Sequence, residues 1–192
     1  DLVSPYFVPG EAFALALQQM AQRGVRVRVL TNSLAATDVA AVHAGYAKWR
    51  KDLLRAGVQL LELKPSAEAP SQASAEPAKV KSGPGGSKKA SLHAKTFGVD
   101  RQRIFIGSFN LDPRSARLNT EMGVVIDSPR FASDLATALD RAAKGSAYVV
   151  RLTADGKLEW VDGDGTVFST EPQTTATRRG MVHVLSWLPI EW

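Results

Sequence analysis

The sequence predicts an α/β fold, a mostly parallel mixed sheet flanked by helices, on three observations. Apolar stretches of strand length alternate with segments of helical periodicity, giving strand, helix, strand, helix, strand by residue 63. That order favours a largely parallel central sheet. The chain has 192 residues, 44% hydrophobic and 22% charged, so it is long enough for one domain with a real core. Its last quarter is punctuated by Asp155-Gly156, Asp162-Gly163 and Asp164-Gly165, which predicts a small β-rich carboxyl-terminal tail.

A first short strand is expected to end near Tyr6-Phe7, with Pro9-Gly10 as the turn into a helix from Glu11 to Arg23. Phe13, Leu17 and Met20 recur there at helical spacing and mark the buried face. After Gly24, residues Val25 to Leu30 alternate like a strand, with Arg26 and Arg28 on one side. A second helix is expected over Thr37 to Arg55, with Val39, Val42, Tyr46, Trp49 and Leu53 on its inner stripe. His43 beside it reads as a surface histidine or a headgroup contact, and His183 in the tail is read the same way. Val58 to Leu63 returns as a strand.

From 65 to 90 the composition shifts to Pro, Ser, Ala, Gly, Glu and Lys, which predicts a flexible insertion made basic by Lys79, Lys81, Lys88 and Lys89. Strands Leu92 to Val99, Arg103 to Phe109 and Met122 to Ile126 follow. A helix after Pro129 is expected to bury Phe131, Leu135 and Leu139 and to end at Gly145. No internal repeat is visible.

The formal charge of +5 and pI of about 9.6 suit an anionic partner: a lipid headgroup, an anionic membrane surface or a nucleic acid. The absence of cysteine excludes disulfides and thiolate metal sites. No apolar run reaches the length of about 18 residues that a membrane-spanning helix needs, so any membrane contact is expected to be peripheral. The chain opens on Asp1 and runs straight into a strand, which predicts a segment cut from something longer.

The chemistry concentrates between His93 and Asn110. His93 and Lys95 stand two residues apart in an expected strand, which puts imidazole and ammonium on one face, about 7 Å apart at their Cα atoms. The next strand offers Ser108 and Asn110 in the same way. A lysine charge with hydroxyl and amide donors suits the equatorial oxygens of a phosphoryl transition state, while the histidine supplies a nucleophile or a proton.

The spacing His93-x-Lys95, Asp100, then Gly107-Ser108-x-Asn110 resembles the signature of the phospholipase D superfamily, the HKD motif. The resemblance implies that two such motifs face each other, one histidine forming a phosphohistidine and the other protonating the leaving alkoxide, without metal or other cofactor. It implies a catalytic set of His93, Lys95, Asp100 and Glu121. Lys95, Ser108 and Asn110 would hold the substrate phosphate, and Glu121 would accept from the far ring nitrogen of His93. Asp100, at the turn, reads as a structural acceptor.

Ser4-Pro5-Tyr6-Phe7-Val8-Pro9-Gly10, Thr31-Asn32-Ser33 and Thr37-Asp38 look like the second half of bacterial cardiolipin synthases. The end, from Glu171-Pro172 through Arg178-Arg179 to Trp187-Leu188-Pro189-Ile190-Glu191-Trp192, is similar to their C type. Residues 1–145 are then a phospholipase D-like catalytic domain with one HKD motif, and 146–192 a β-hairpin extension with an amphipathic tail. The tail aromatics and arginines suit a membrane interface.

The implied activity is phosphatidyl transfer or phospholipase D hydrolysis at the bacterial cell membrane, held peripherally. The partners are an anionic phospholipid and a second HKD half, from the same full-length protein or a homodimer mate. The alternatives are a homodimeric phospholipase D-like endonuclease, which the lack of aromatic-interleaved basic stripes disfavours, and an inactive lipid-binding module.

Overall fold

A computed structural model describes residues 1–65 and 92–187. Most of the expected insertion at 65–90 and the tail beyond Trp187 lie outside the described residues. Nine strands form a single mixed sheet in the order β6-β5-β4-β1-β2-β3-β7-β8-β9. The α/β sheet flanked by helices is therefore what forms. Its parallel strand pairs are confined to β1 (Leu2–Val3), β2 (Arg28–Asn32) and β3 (Gln59–Leu63), every other pair of these strands is antiparallel, and one isolated parallel bridge joins Phe7 to Leu111.

The reason lies in the connections. Helices α1 (Gly10–Gln22), α2 (Ala40–Ala47) and α3 (Arg50–Arg55) provide crossovers between the first three strands, as parallel neighbours require. The later strands β4 (Thr96–Val99), β5 (Arg103–Gly107) and β6 (Gly123–Asp127) pair as antiparallel neighbours, with α4 (Pro113–Arg117) between the last two. Asp100 and Arg101 join β4 to β5 with φ of 52° and 53°, and Gln102 N donates to Val99 O at 3.0 Å. Val99 pairs with Arg103, so Gln102 completes a three-residue loop that turns through two left-handed residues.

Alternate residues of the central strands serve two cores. Val29, Leu53, Leu60, Tyr148 and Trp160 pack with Phe7 and Leu17 beneath α1 and α3. On the opposite face Val3, Leu30, Leu61, Leu63 and Leu92 pack with Leu139 of α5 (Pro129–Arg141). Ser128 caps α5 by accepting from Phe131 N, with Pro129 at the first helical position. The buried stripe of α5 is Ala132, Ala136 and Leu139, so Phe131, expected inside, is 45% exposed. A single π-helical turn (Ala142–Ser146) then leads into β7 (Ala147–Leu152).

The sheet is continuous across residue 145. β7 pairs with β3, followed by β8 (Leu158–Val161) and β9 (Val167–Phe168). The last helix, α6 (Ala176–Trp187), lies on α2 and buries Val182 against Leu34 and Ala44. The second helix divides at Lys48-Trp49 into α2 and α3. His43, expected on its surface, is buried between Arg50 and Glu171.

Candidate active site

β4 begins at Thr96, so His93 and Lys95 stand in an extended lead-in ahead of it. Gly107 N reaches back to Lys95 O at 3.1 Å and keeps that lead-in beside the end of β5. Gly107 is paired with Gly123, and the Phe105 ring lies across the pair. A Cβ on Gly107 would come within 2.6 Å of Met122 O, and one on Gly123 within 2.3 Å of the Phe105 ring. Close approach thus explains the glycine of the Gly-Ser-x-Asn segment.

Ser108 follows at once. Its N–H donates to Met122 O at 2.9 Å, its hydroxyl donates to the Glu121 carboxylate, and Met122 N donates to its Oγ at 3.1 Å. Asn119 Nδ2 donates to the second Glu121 oxygen at 3.3 Å. The Ser108 hydrogen bond first, then Asn119, Ser115 and the nearby Lys95 charge, hold the Glu121 carboxyl below its usual range against a smaller opposing effect of burial.

Lys95 is half-buried, and its Nζ donates to the His93 carbonyl at 3.0 Å. Burial lowers its pKa, and the Glu121 charge partly restores it. Among the described residues no carboxylate lies within ion-pair distance of this ammonium. His93 is exposed, and its ring makes no hydrogen bond among the described residues. The expected bond from Glu121 to the His93 ring is not formed: Glu121, two residues ahead of β6, has its carboxylate on the Ser108 hydroxyl instead.

Asn110 is half-buried, and its Oδ1 is enclosed without a hydrogen-bond partner. Asp100 is not brought to the site. It occupies the hairpin turn at the far end of β4, seven residues and roughly 20 Å along the strand direction from His93. The structure therefore gathers Lys95, Ser108 and Glu121 around the open His93 segment, and leaves Asp100 a turn residue.

A wider frame holds these segments. Asn32, at the end of β2, accepts from Leu92 N at 3.0 Å and donates to Pro5 O at 3.4 Å. Ser4 Oγ accepts from Leu111 N at 3.2 Å, and Val8 N donates to Leu111 O at 2.7 Å. Tyr6 donates its phenol proton to Asp38 at 2.9 Å. Burial first, and then this bond to Asp38, push the Tyr6 phenol up to about 12.

Sequence reasoning missed a second polar group altogether. Arg50 is buried between Glu171, at 2.9 Å, and Glu62, at 3.4 Å, while Glu62 also accepts from Trp160 Nε1 at 2.9 Å. The available signal was Arg50 at helical spacing between Tyr46 and Leu53, a charge on an apolar stripe. This cluster fixes the tail to the second helix region. Among the described residues no group of three or more histidine, aspartate and glutamate side chains is gathered to hold a metal, and no helix is long and apolar enough to cross a membrane.

Residues 1–143 match the family described as cardiolipin synthase, PLD-like domain. Over the whole chain there is 47% identity to cardiolipin synthase C of Escherichia coli K12, of which the chain covers 40%. Cardiolipin synthase A of Pseudomonas aeruginosa is 34% identical over 72% of the chain and 23% of its own length. The chain thus spans about two fifths or less of these curated relatives. A phospholipase D family member, Nuc, from Salmonella typhimurium has the same fold, with a TM-score of 0.54 at 22% identity over 78% of this chain and 80% of that one. Phosphatidylserine synthase of Haemophilus influenzae gives a TM-score of 0.53 at 16% identity over 77% of this chain and 33% of that one.

Proposed function

The chain belongs to the cardiolipin synthase family of phospholipase D-like domains, and we propose on that footing that it supplies one histidine of a two-histidine phosphatidyl-transfer site. The observation that carries this reading is the Lys95 ammonium, half-buried beside His93 and without a carboxylate partner among the described residues. A lysine charge partly withdrawn from water and outside ion-pair distance of any described carboxylate suits an anion such as a phosphodiester.

In this reading Lys95, Ser108 and Asn110 hold the phosphate oxygens, where negative charge grows in the transition state. One histidine of the pair attacks phosphorus, forming a P–N bond as the P–O bond to the alcohol breaks, and the other gives the departing alkoxide its proton. The hydroxyl of a second lipid then displaces the histidine and yields a new diester; water in its place gives hydrolysis. Glu121 holds Ser108 in place and offsets the Lys95 charge until substrate arrives.

The second histidine comes from another phospholipase D-like half. Its seat is the uncovered face of β4 to β6, on the side away from α5. Phe97 and Phe105 stack there with centroids 4.8 Å apart, and Val125 is 68% exposed opposite Phe105. A largely apolar cavity of about 420 Å³ between α1 and β4, lined by Phe13, Met20, Phe97 and Phe109, opens on the same side. The relatives' membrane lipids and the basic character of the chain support a peripheral position at a bacterial membrane.

The test is incubation with phosphatidylglycerol vesicles and, separately, with plasmid DNA, beside a His93→Ala variant, with molecular mass measured on the same preparation. Lipid product from an assembly holding two histidines, lost in the variant, is the expected result. Plasmid nicking lost in the variant, without lipid product, overturns the reading.

A further inference from the structure

We propose that Tyr6 and Asp38 read the alcohol attached to the phosphate, accepting hydrogen bonds from the hydroxyls of a polyol headgroup; this rests on the reading of the His93 to Asn110 segment as a phosphodiester site. Three independent placements carry it.

The first is register. Phe7 and Leu111 form a parallel bridge, with Leu111 N on Ser4 Oγ and Val8 N on Leu111 O. That alignment brings the Tyr6 backbone beside the segment that carries Asn110. The second is the Asn32 clamp. One side chain holds Pro5 O and Leu92 N, the residues immediately before Tyr6 and His93. Tyr6 therefore borders both segments that carry the phosphate-binding groups.

The third is the direction of the Tyr6 proton. The phenol donates to Asp38 at 2.9 Å, and Asp38 is exposed with no ion-pair partner among the described residues. Its loop is steadied by Arg178 of α6, which donates to Thr37 O at 2.7 Å. With its proton committed, the phenol oxygen offers only lone pairs, and the Asp38 carboxylate offers more. The high pKa of the phenol keeps it in this state across physiological pH.

The two sides of the site are thus opposite in kind. The Lys95 ammonium presents donors to an anion, whereas Tyr6 and Asp38 present acceptors that repel a second anion and take donors. A phosphodiester carrying free hydroxyls satisfies both. A phosphodiester without them fills only the first.

The experiment is a titration of the chain, followed by the nuclear magnetic resonance shifts of the His93 ring, with dimethyl phosphate and with glycerophosphoglycerol as probes. Wild type is expected to bind glycerophosphoglycerol more tightly. Asp38→Ala should weaken that probe about 10-fold and Tyr6→Phe about 3-fold, with dimethyl phosphate unchanged. The dispersion of each variant's spectrum reports whether it folds, and the two substitutions remove different groups, so a fold defect in one leaves the other decisive. Equal weakening of both probes, or of neither, overturns the proposal. Failure of both probes to bind wild type overturns the phosphate-site reading beneath it instead.

Discussion

Arg50 and Glu171, separated by 121 residues in sequence, lie 2.9 Å apart in the fold and join the second helix region to the segment that leads into the last helix. Arg50 is enclosed, and its other acid, Glu62, is fully buried and shared with Trp160. Glu171→Ala leaves the guanidinium with the His43 ring and one longer acid contact, Glu62 at 3.4 Å. The expected loss is about 2 to 3 kcal/mol in urea unfolding, somewhat below the ~3–5 kcal/mol of a fully buried pair.

The same cluster sets a direction for acid stability. Burial alone would raise the Glu171 pKa, but the His43 ring at 3.6 Å and the Arg50 charge outweigh it and bring the carboxyl to about 2. Burial lowers the His43 pKa against the pull of Glu171. A depressed carboxyl stabilises above its unfolded pKa and loses that stability as pH falls through its folded one. A depressed histidine likewise favours the unfolded chain below pH about 6.5. Stability measured by urea at a series of pH values should therefore fall from about pH 6.5 downward, with a further loss of about 3 kcal/mol from Glu171 between about pH 5 and 2. Glu171→Gln should flatten that lower limb.

At the site, Ser108→Ala removes the largest influence holding the Glu121 carboxyl down. Its pKa should move up toward the ordinary carboxylate range, as read from the Glu121 side-chain carbon resonance against pH. An unmoved titration would mean that the Ser108 contact does not set the charge state of Glu121.

The Phe105 ring occupies the space that a Cβ on Gly123 needs. Gly123→Ala should cost about 1–3 kcal/mol by overpacking. Pairing it with Phe105→Leu should recover part of that loss, which a double-mutant cycle of unfolding free energies measures.

Asp100 tests the division between motif and mechanism. Asp100→Gly suits the positive φ and should leave unfolding free energy within about 0.5 kcal/mol of wild type, with phosphate binding intact. Asp100→Val forces a branched side chain into the left-handed region and should cost about 1–2 kcal/mol. Loss of phosphate binding in the glycine variant would restore Asp100 to the site.

The local features were legible because they depend on neighbours in sequence. The alternation up to Leu63, the turn after Val99, the helix start at Pro129 and the spacing from His93 to Asn110 are all set within a few residues. What escaped depends on partners far away. His43 looks like a surface histidine until Glu171 comes back across the sheet. Phe131 lies on the expected stripe of α5, yet Ala132 and Ala136 face the sheet because the helix packs close. Glu121 was matched to His93 by likeness, but β5 and β6 pair in a register that delivers it to Ser108.

The two margins of the sheet age differently under stress. β9 is two residues long and gives a passing strand almost nothing to bind. β6 runs for five residues, pairs with β5 alone among the described residues, and exposes Val124 and Val125. An open run of main-chain donors and acceptors flanked by valines is a template for strand addition. A chain kept without cover on that margin should polymerise through β6 when concentrated or warmed, so shielding the margin protects solubility.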